Sequence, residues 1–288
     1  MLTANCIAKV FSRANITNVS NGDFSHLAKI VQVYKNNFAS IFTLADIFDF
    51  CFEILKKEYR NEYFYKNLIA NKLLMGRHSL RTSTMLSEFR VGANKADCVI
   101  INDISTCYEI KTDFDNLNRL KGQLASYLEL FDKVNVVVSD KHLKSVSIAV
   151  PEEVGIINLT NNNTLKEIKK AELVKSELNV TMLMHSLRSE EYKDLVESIY
   201  GYIPPVSNME IFSACEELLL SCENDLVRNK YKKTLLKTRN IDKNFVYSLP
   251  SSLKITGINS DLKKKHRENL INNIHSTFSK DLLCTSLY

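Results

Sequence analysis

The sequence predicts an α/β fold, a mixed sheet with helices packed on it and helical regions at both ends. Three observations carry this. Apolar residues recur every three to four positions over residues 24–75, and the chain beyond Pro204-Pro205 again reads as mostly helical. Between these regions, short apolar runs fall in the order three strands, helix, strand. Only 7 glycines and 4 prolines punctuate 288 residues, which favours long regular elements over an all-β sandwich.

Each element has its own signal. Leu27, Ile30, Val31 and Val33 begin the helical pattern. Leu44, Ile47, Phe48, Cys51 and Leu55 continue it, and Leu68, Ile69, Leu73 and Leu74 carry a third helix that Gly76 is expected to end. The texture changes at Arg77. Residues 88–91, 97–102 and 106–111 read as strands, with residues 102–105 as a hairpin turn. A helix follows over residues 115–131, with Asp115 as N-cap and Leu117, Leu120, Leu124, Tyr127 and Leu128 as its apolar face. Residues 134–138 form a buried strand, and 146–150 and 154–159 read as further strands. Asn161-Asn-Asn163 marks a loop. Pro204-Pro205 marks a boundary, because the first proline restricts its neighbour and neither donates a backbone hydrogen bond. The remainder is mostly helical, interrupted near Pro250. The expected divisions are a helical extension over 1–75, a core over 76–160 and a mostly helical region over 161–288.

Composition narrows the class. Hydrophobic residues make up 45% and charged residues 25%, an ordinary globular balance. The cysteines at 6, 51, 98, 107, 215, 222 and 284 are odd in number and show no CxxC spacing. That pattern argues against a zinc ribbon or a secreted disulfide framework and fits a reduced cytoplasm. The N-terminus shows no signal-peptide pattern. The most apolar early segment, Phe42 to Leu55, is interrupted by Asp46, Asp49 and Glu53 and cannot span a bilayer, so no membrane partner is expected. Charge is segregated. Residues 151–225 hold 6 basic and 14 acidic side chains, and residues 226–267 hold 12 basic and 2 acidic ones. The basic stretch suits a nucleic-acid backbone, or equally a helix face docked on the acidic segment before it.

The chemistry concentrates between Glu88 and Tyr127. Glu109 and Lys111 are two apart in a strand and project from one face. A turn near Asp103 or Ile104 sets Asp97 opposite residues 109–111. Two carboxylates and an ammonium then converge at one end of a hairpin. Hard oxygen ligands from Asp97 and Glu109 suit Mg²⁺ or Mn²⁺, with Lys111 placed to position a water or neutralise charge on phosphorus. The competing reading is an exposed cross-strand charge pair. Gln123 and Tyr127 lie four apart on one helical face, where an amide and a hydroxyl could bind a phosphate or base; read as structure, they are helix surface and core aromatic.

Asp97, Glu109-Ile-Lys111 and the Gln123…Tyr127 pair resemble the PD-(D/E)XK nuclease superfamily, in particular a RecB-like bacterial branch carrying the QxxxY element. The resemblance covers residues 75–140, with Ala96 where the motif name has proline. It implies an αβββαβ restriction-endonuclease-like core with a four-stranded mixed sheet, and divalent-metal hydrolysis of phosphodiesters, most often in DNA, in bacterial defence or DNA processing. It implies an upstream acid as well, assigned to Glu88 with Glu62 as fallback, and a histidine, assigned to His78 beside Arg77 as a phosphate contact. The expected catalytic set is therefore Glu88, Asp97, Glu109 and Lys111. The expected metal ligands are Glu88, Asp97 and Glu109, and the expected substrate contacts are Gln123, Tyr127, Arg77 and His78. The partner is nucleic acid, with a protein partner or a second copy on the helical regions. Two alternatives stand beside this reading: a non-catalytic binding module on the same scaffold, and an RNA-cleaving, toxin-like nuclease.

Overall fold

The computed structural model describes residues 2–279, which divide into two compact units. The first takes in the chain up to Gly76 and from Asp242 onward. The second runs from Arg77 to Ile241.

The first unit is helical, with α1 (Ala4–Ala8), α2 (Arg13–Ser20), α3 (Ser25–Val33), the short β1 (Ile41–Thr43), α4 (Leu44–Glu58) and α5 (Glu62–Ile69). Asp46, which in the sequence only interrupts an apolar run, closes a capping box. Its carboxylate accepts from the Thr43 backbone N–H at 2.7 Å, and the Thr43 hydroxyl accepts from the Asp46 N–H. Leu44, Ile47, Phe48, Cys51 and Leu55 form the buried face of α4. Residues Ala70–Leu74 wind as a π-helix into α6 (Met75–Arg77), so Gly76 does not end the helix as expected. Helices at Lys243–Ser248, Lys254–Ile258 and Lys264–His275 complete the unit, and Thr277–Ser279 pairs with β1. Asn67 fixes one of them to α5: its amide donates to the Ser251 carbonyl at 2.8 Å and its oxygen accepts from Ile255 N–H at 3.0 Å.

The second unit holds β2 (Thr84–Val91), β3 (Asn94–Ile101), β4 (Ser105–Lys111), α7 (Leu120–Leu128), β5 (Lys133–Ser139), α8 (Asp140–Ala149), β6 (Gly155–Leu159) and β7 (Leu165–Lys169). Four helices follow: α9 (Val180–Ser186), α10 (Ser189–Tyr200), α11 (Ile211–Leu220) and α12 (Asn224–Thr238). The strands form one sheet in sequence order. β2/β3, β3/β4 and β6/β7 pair antiparallel, whereas β4/β5 and β5/β6 pair parallel through the α7 and α8 crossovers. The sheet is thus mixed, with six strands rather than four. Gly92, at φ 57°, supplies the left-handed residue of the tight β2–β3 turn. Val99, Ile101, Cys107, Val134, Val136 and Val138 bury one face of the sheet in a core shared with Leu124 and Tyr127 of α7.

Other local expectations change for physical reasons. Residues 146–149 belong to α8, not to a strand: Asp140 occupies its first turn, and His142 and Val146 bury one helical face. Asp115 does not cap α7. Its carboxylate accepts from Thr112 N–H at 2.8 Å and Thr112 hydroxyl at 2.6 Å, which closes a turn after β4 and delays the helix to Leu120. Pro204-Pro205 lies in the loop between α10 and α11, inside the second unit, and the stretch 161–288 divides instead at Ile241/Asp242.

Much of the basic charge on α12 is spent within its own unit. Lys232 pairs with Asp132 at 2.9 Å, Lys237 pairs with Asp194, and Arg239 pairs with Glu191 at 2.7 Å. Glu191 and Asp194 come from the acidic segment, so this half of the basic stretch docks on it. Lys263, Lys264 and Lys265, in the other unit, are exposed. No disulfide joins the six described cysteines, and Cys284 lies outside the described residues. Among the described residues no helix is long and apolar enough to cross a membrane.

Candidate functional site

Strand register builds the site. The pairing Cys98↔Tyr108, continued by one residue, sets Asp97 opposite Glu109. The pairs Ser87↔Cys98 and Phe89↔Ala96 set Glu88 opposite Asp97. Three carboxylates therefore occupy one row across β2, β3 and β4. Glu88 has φ 52°, in the left-handed region that a side chain with a Cβ rarely adopts. Such a residue costs about 1–3 kcal/mol and persists where its surroundings demand it. The left-handed turn interrupts the β2–β3 ladder at that point and leaves Glu88 exposed. One carboxylate oxygen of Glu88 and one of Asp97 lie within 4.8 Å of each other. Asp97 is half-buried, and its Oδ2 accepts from the Ile110 backbone N–H at 2.6 Å.

Behind this pair the site is closed. Glu109 is 1% exposed and Lys111 5%. Glu109 Oε1 accepts from Lys111 Nζ at 2.7 Å, and Oε2 accepts from the Tyr127 hydroxyl at 3.0 Å. The same hydroxyl lies 2.7 Å from the Lys95 carbonyl, so its one proton is shared between two acceptors. Lys111 also donates to Gln123 Oε1 at 3.0 Å. Burial pushes Glu109 above the usual carboxylate range, while the Lys111 charge and the hydrogen bonds from Lys111, Tyr127 and Gln123 pull it part of the way back. Burial and the neighbouring Glu109 charge raise the Tyr127 hydroxyl far above its ordinary value, which keeps it a donor. Burial likewise holds the Cys107 thiol neutral.

Of the expected residues, Glu88, Asp97, Glu109, Lys111, Gln123 and Tyr127 thus form one connected arrangement. Glu109 does not join Glu88 and Asp97 within 4.8 Å, because Lys111 and Tyr127 hold both of its oxygens. Arg77 and His78 lie elsewhere. They line a groove with Thr106, Tyr108 and Asn135, residues that alternate with the acid row and so face the other side of the sheet. The hard oxygens of Glu88 and Asp97 match a small divalent cation. Asn135 carried a signal that sequence reasoning passed over: it is a polar residue inside the valine-rich strand 134–138.

A family model described as bacteriophage P4 protein cII matches residues 55–263. Protein cII of Enterobacteria phage P4 is 36% identical over 147 residues, which are 49% of this chain and 54% of that protein. The chain therefore spans about half the length of this curated relative. A solved structure, the SPO1766 protein of unknown function from Silicibacter pomeroyi, aligns over 42% of this chain and 82% of its own. Its identity is 13% and its TM-score 0.29, too low to carry any argument. The family match overturns the placement in the PD-(D/E)XK superfamily. A few residues at D-x(11)-E-x-K spacing recur by chance, whereas the matching model extends well beyond them on both sides.

Proposed function

The chain belongs to the family of bacteriophage P4 protein cII, and for this member we propose metal-dependent hydrolysis of phosphodiesters in nucleic acid, DNA favoured, at the acid row of the sheet. The observation that carries the proposal is the approach of the Glu88 and Asp97 carboxylates beside the buried Glu109–Lys111 pair. Two like charges at this spacing repel, and a cation relieves the repulsion. Residues 84–139 of the second unit form the αβββαβ-type order of three strands, a helix and a strand within the six-stranded mixed sheet. Pairing switches from antiparallel to parallel at β4.

In this reading Glu88 and Asp97 hold Mg²⁺ or Mn²⁺, with Glu109 next in the row. When bound, the ion polarises a phosphate oxygen and lowers the pKa of a water. The chain's own residues do the rest. The Ile110 N–H aims Asp97 by holding its Oδ2. Lys111 Nζ donates to Glu109, and Gln123 Oε1 accepts from it on the other side. Tyr127 fixes Glu109 Oε2. Lys111, Gln123 and Tyr127 are thus positioning residues behind the two acids.

Purified protein and its Asp97→Asn variant, incubated with circular, linear and single-stranded DNA and with RNA in Mg²⁺, Mn²⁺ or EDTA, test this. Cleavage that needs metal and is lost in the variant is the expected result. Equal cleavage by the variant, or cleavage in EDTA, refutes it. Cleavage of RNA alone would transfer the activity to RNA. The closure of Glu109 on Lys111 and Tyr127 favours a second reading, a non-catalytic binding module. Asp97-dependent Mn²⁺ binding without cleavage of any substrate selects that reading.

A further inference from the structure

The sheet face opposite the acid row carries a polar cavity of about 210 Å³ that the proposed hydrolysis does not use. Its floor is one row of the parallel ladder, where Tyr108 pairs with Asn135 and Asn135 with Gly155. Gly155 makes room for the amide, since a Cβ there would stand 2.2 Å from Asn135 Oδ1. Asn135 is 6% exposed and Tyr108 9%. Both side chains line the cavity, yet neither makes a side-chain hydrogen bond among the described residues. Their polar atoms are turned into one cavity, where a ligand with complementary donors and acceptors can pair both.

The rim sets the charge of that ligand. Arg77, Lys133 and Lys170 face a single acid, Glu167, and none of the four forms an ion pair among the described residues. His78 takes part through Asn102, whose amide meets His78 Nδ1 at 3.2 Å.

We propose that this cavity binds one nucleoside monophosphate, free or as the 5′-phosphorylated end of a strand. Asn135 and Tyr108 pair with the base or sugar edge, and Arg77, Lys133 and Lys170 take the phosphate. The volume lies below the ~300–1,000 Å³ of pockets that enclose a drug-sized ligand, so the cavity takes part of one nucleotide, leaves the remainder at the rim, and excludes a duplex. The proposal does not depend on hydrolysis at the acid row, and its test is run in EDTA.

The experiment titrates the full chain by calorimetry with deoxynucleoside monophosphates, a 5′-phosphorylated tetranucleotide and inorganic phosphate. Saturable nucleotide binding at a Kd of about 1 mM or tighter is expected, weakened roughly tenfold by Tyr108→Phe and by Arg77→Ala with Lys133→Ala, and unchanged by Asp97→Asn. Tyr108→Phe removes one oxygen from a strand residue and leaves the ring in place, so weakened binding in it reads the lost hydroxyl and not a lost fold. Tighter binding of the tetranucleotide assigns the ligand to a strand end, and equal binding assigns it to the free nucleotide. Four results overturn the proposal: no saturation by nucleotide or tetranucleotide at about 10 mM, equal affinity in Tyr108→Phe, inorganic phosphate binding as tightly as nucleotide, or loss of binding in Asp97→Asn alone.

Discussion

Lys111→Met removes the ammonium that faces Glu109 and replaces the lysine stem with an apolar chain of similar length. Glu109 is 1% exposed and would lose its 2.7 Å partner. Breaking a buried ion pair by deleting one member costs about 3–5 kcal/mol. Glu109 can limit the loss by taking a proton. Burial already holds its pKa above the usual range, and without Lys111 it rises further. A group whose folded pKa is raised contributes stability that is present below its unfolded pKa and lost as pH rises through the folded value, at about 1.4 kcal/mol per unit. The deficit against wild type is therefore largest at pH 8. At pH 5, near the unfolded carboxyl value, most of it is gone, leaving about 1 kcal/mol for the lost hydrogen bonds. Urea unfolding at the two pH values reads this directly. The unit from Arg77 to Ile241 is of a size at which 1 kcal/mol moves Tm by about 2–4 °C, so a fall of roughly 6–20 °C is expected at pH 8. Adding Glu109→Gln to Lys111→Met should restore most of the loss, because no buried charge remains unpaired. A Lys111→Met protein within about 1 kcal/mol of wild type at pH 8, or a deficit that does not shrink at pH 5, would refute the reasoning.

Two further perturbations follow from the second unit. Burial pushes the Glu191 carboxyl up, but two 2.7 Å bonds from Arg239 and one from the Arg188 N–H outweigh it and hold the pKa below the ordinary range. Its contribution is present above the unfolded carboxyl pKa and lost as pH falls through the depressed folded value, so Glu191→Gln should cost about 3–5 kcal/mol near neutral pH and less in acid, read by urea unfolding across that range. Gly155→Ala would place a Cβ 2.7 Å from Ala171 N as well as 2.2 Å from Asn135 Oδ1. A loss of about 1–3 kcal/mol is expected in a thermal melt, and unchanged stability would show that the β5–β6 row has room to spare.

Several features of the site were legible in sequence because they rest on short-range rules. Side-chain alternation sets Glu109 and Lys111 on one face of any strand. The turn after Ile101 fixes the register of Asp97, which the structure places opposite Glu109. Helical spacing brings Gln123 and Tyr127 to one face of α7, where they reach Lys111 and Glu109. Arg77 and His78 were not legible in this way. Their side of the sheet depends on where the chain before β2 lies over it, and no local pattern encodes that.

The sequence by itself determined the α/β class, the order of the central elements and the facing of Asp97 and Glu109. Periodicity and turn chemistry act over a few residues, and those residues are all printed in the chain. It also misled where a short run had two uses: residues 146–149 are apolar enough for a strand, but a helix began ahead of them at Asp140. Only the tertiary structure decided the rest. It put Glu88 in a left-handed conformation, closed Glu109 between Lys111 and Tyr127, and spent the charges of α12 on Asp132, Glu191 and Asp194. It also placed the Asn135 amide and the Tyr108 hydroxyl together in one cavity on the opposite face of the sheet. Each of these depends on which distant segments come to lie side by side, and burial, charge pairing and hydrogen-bond satisfaction take their values only after the chain has folded.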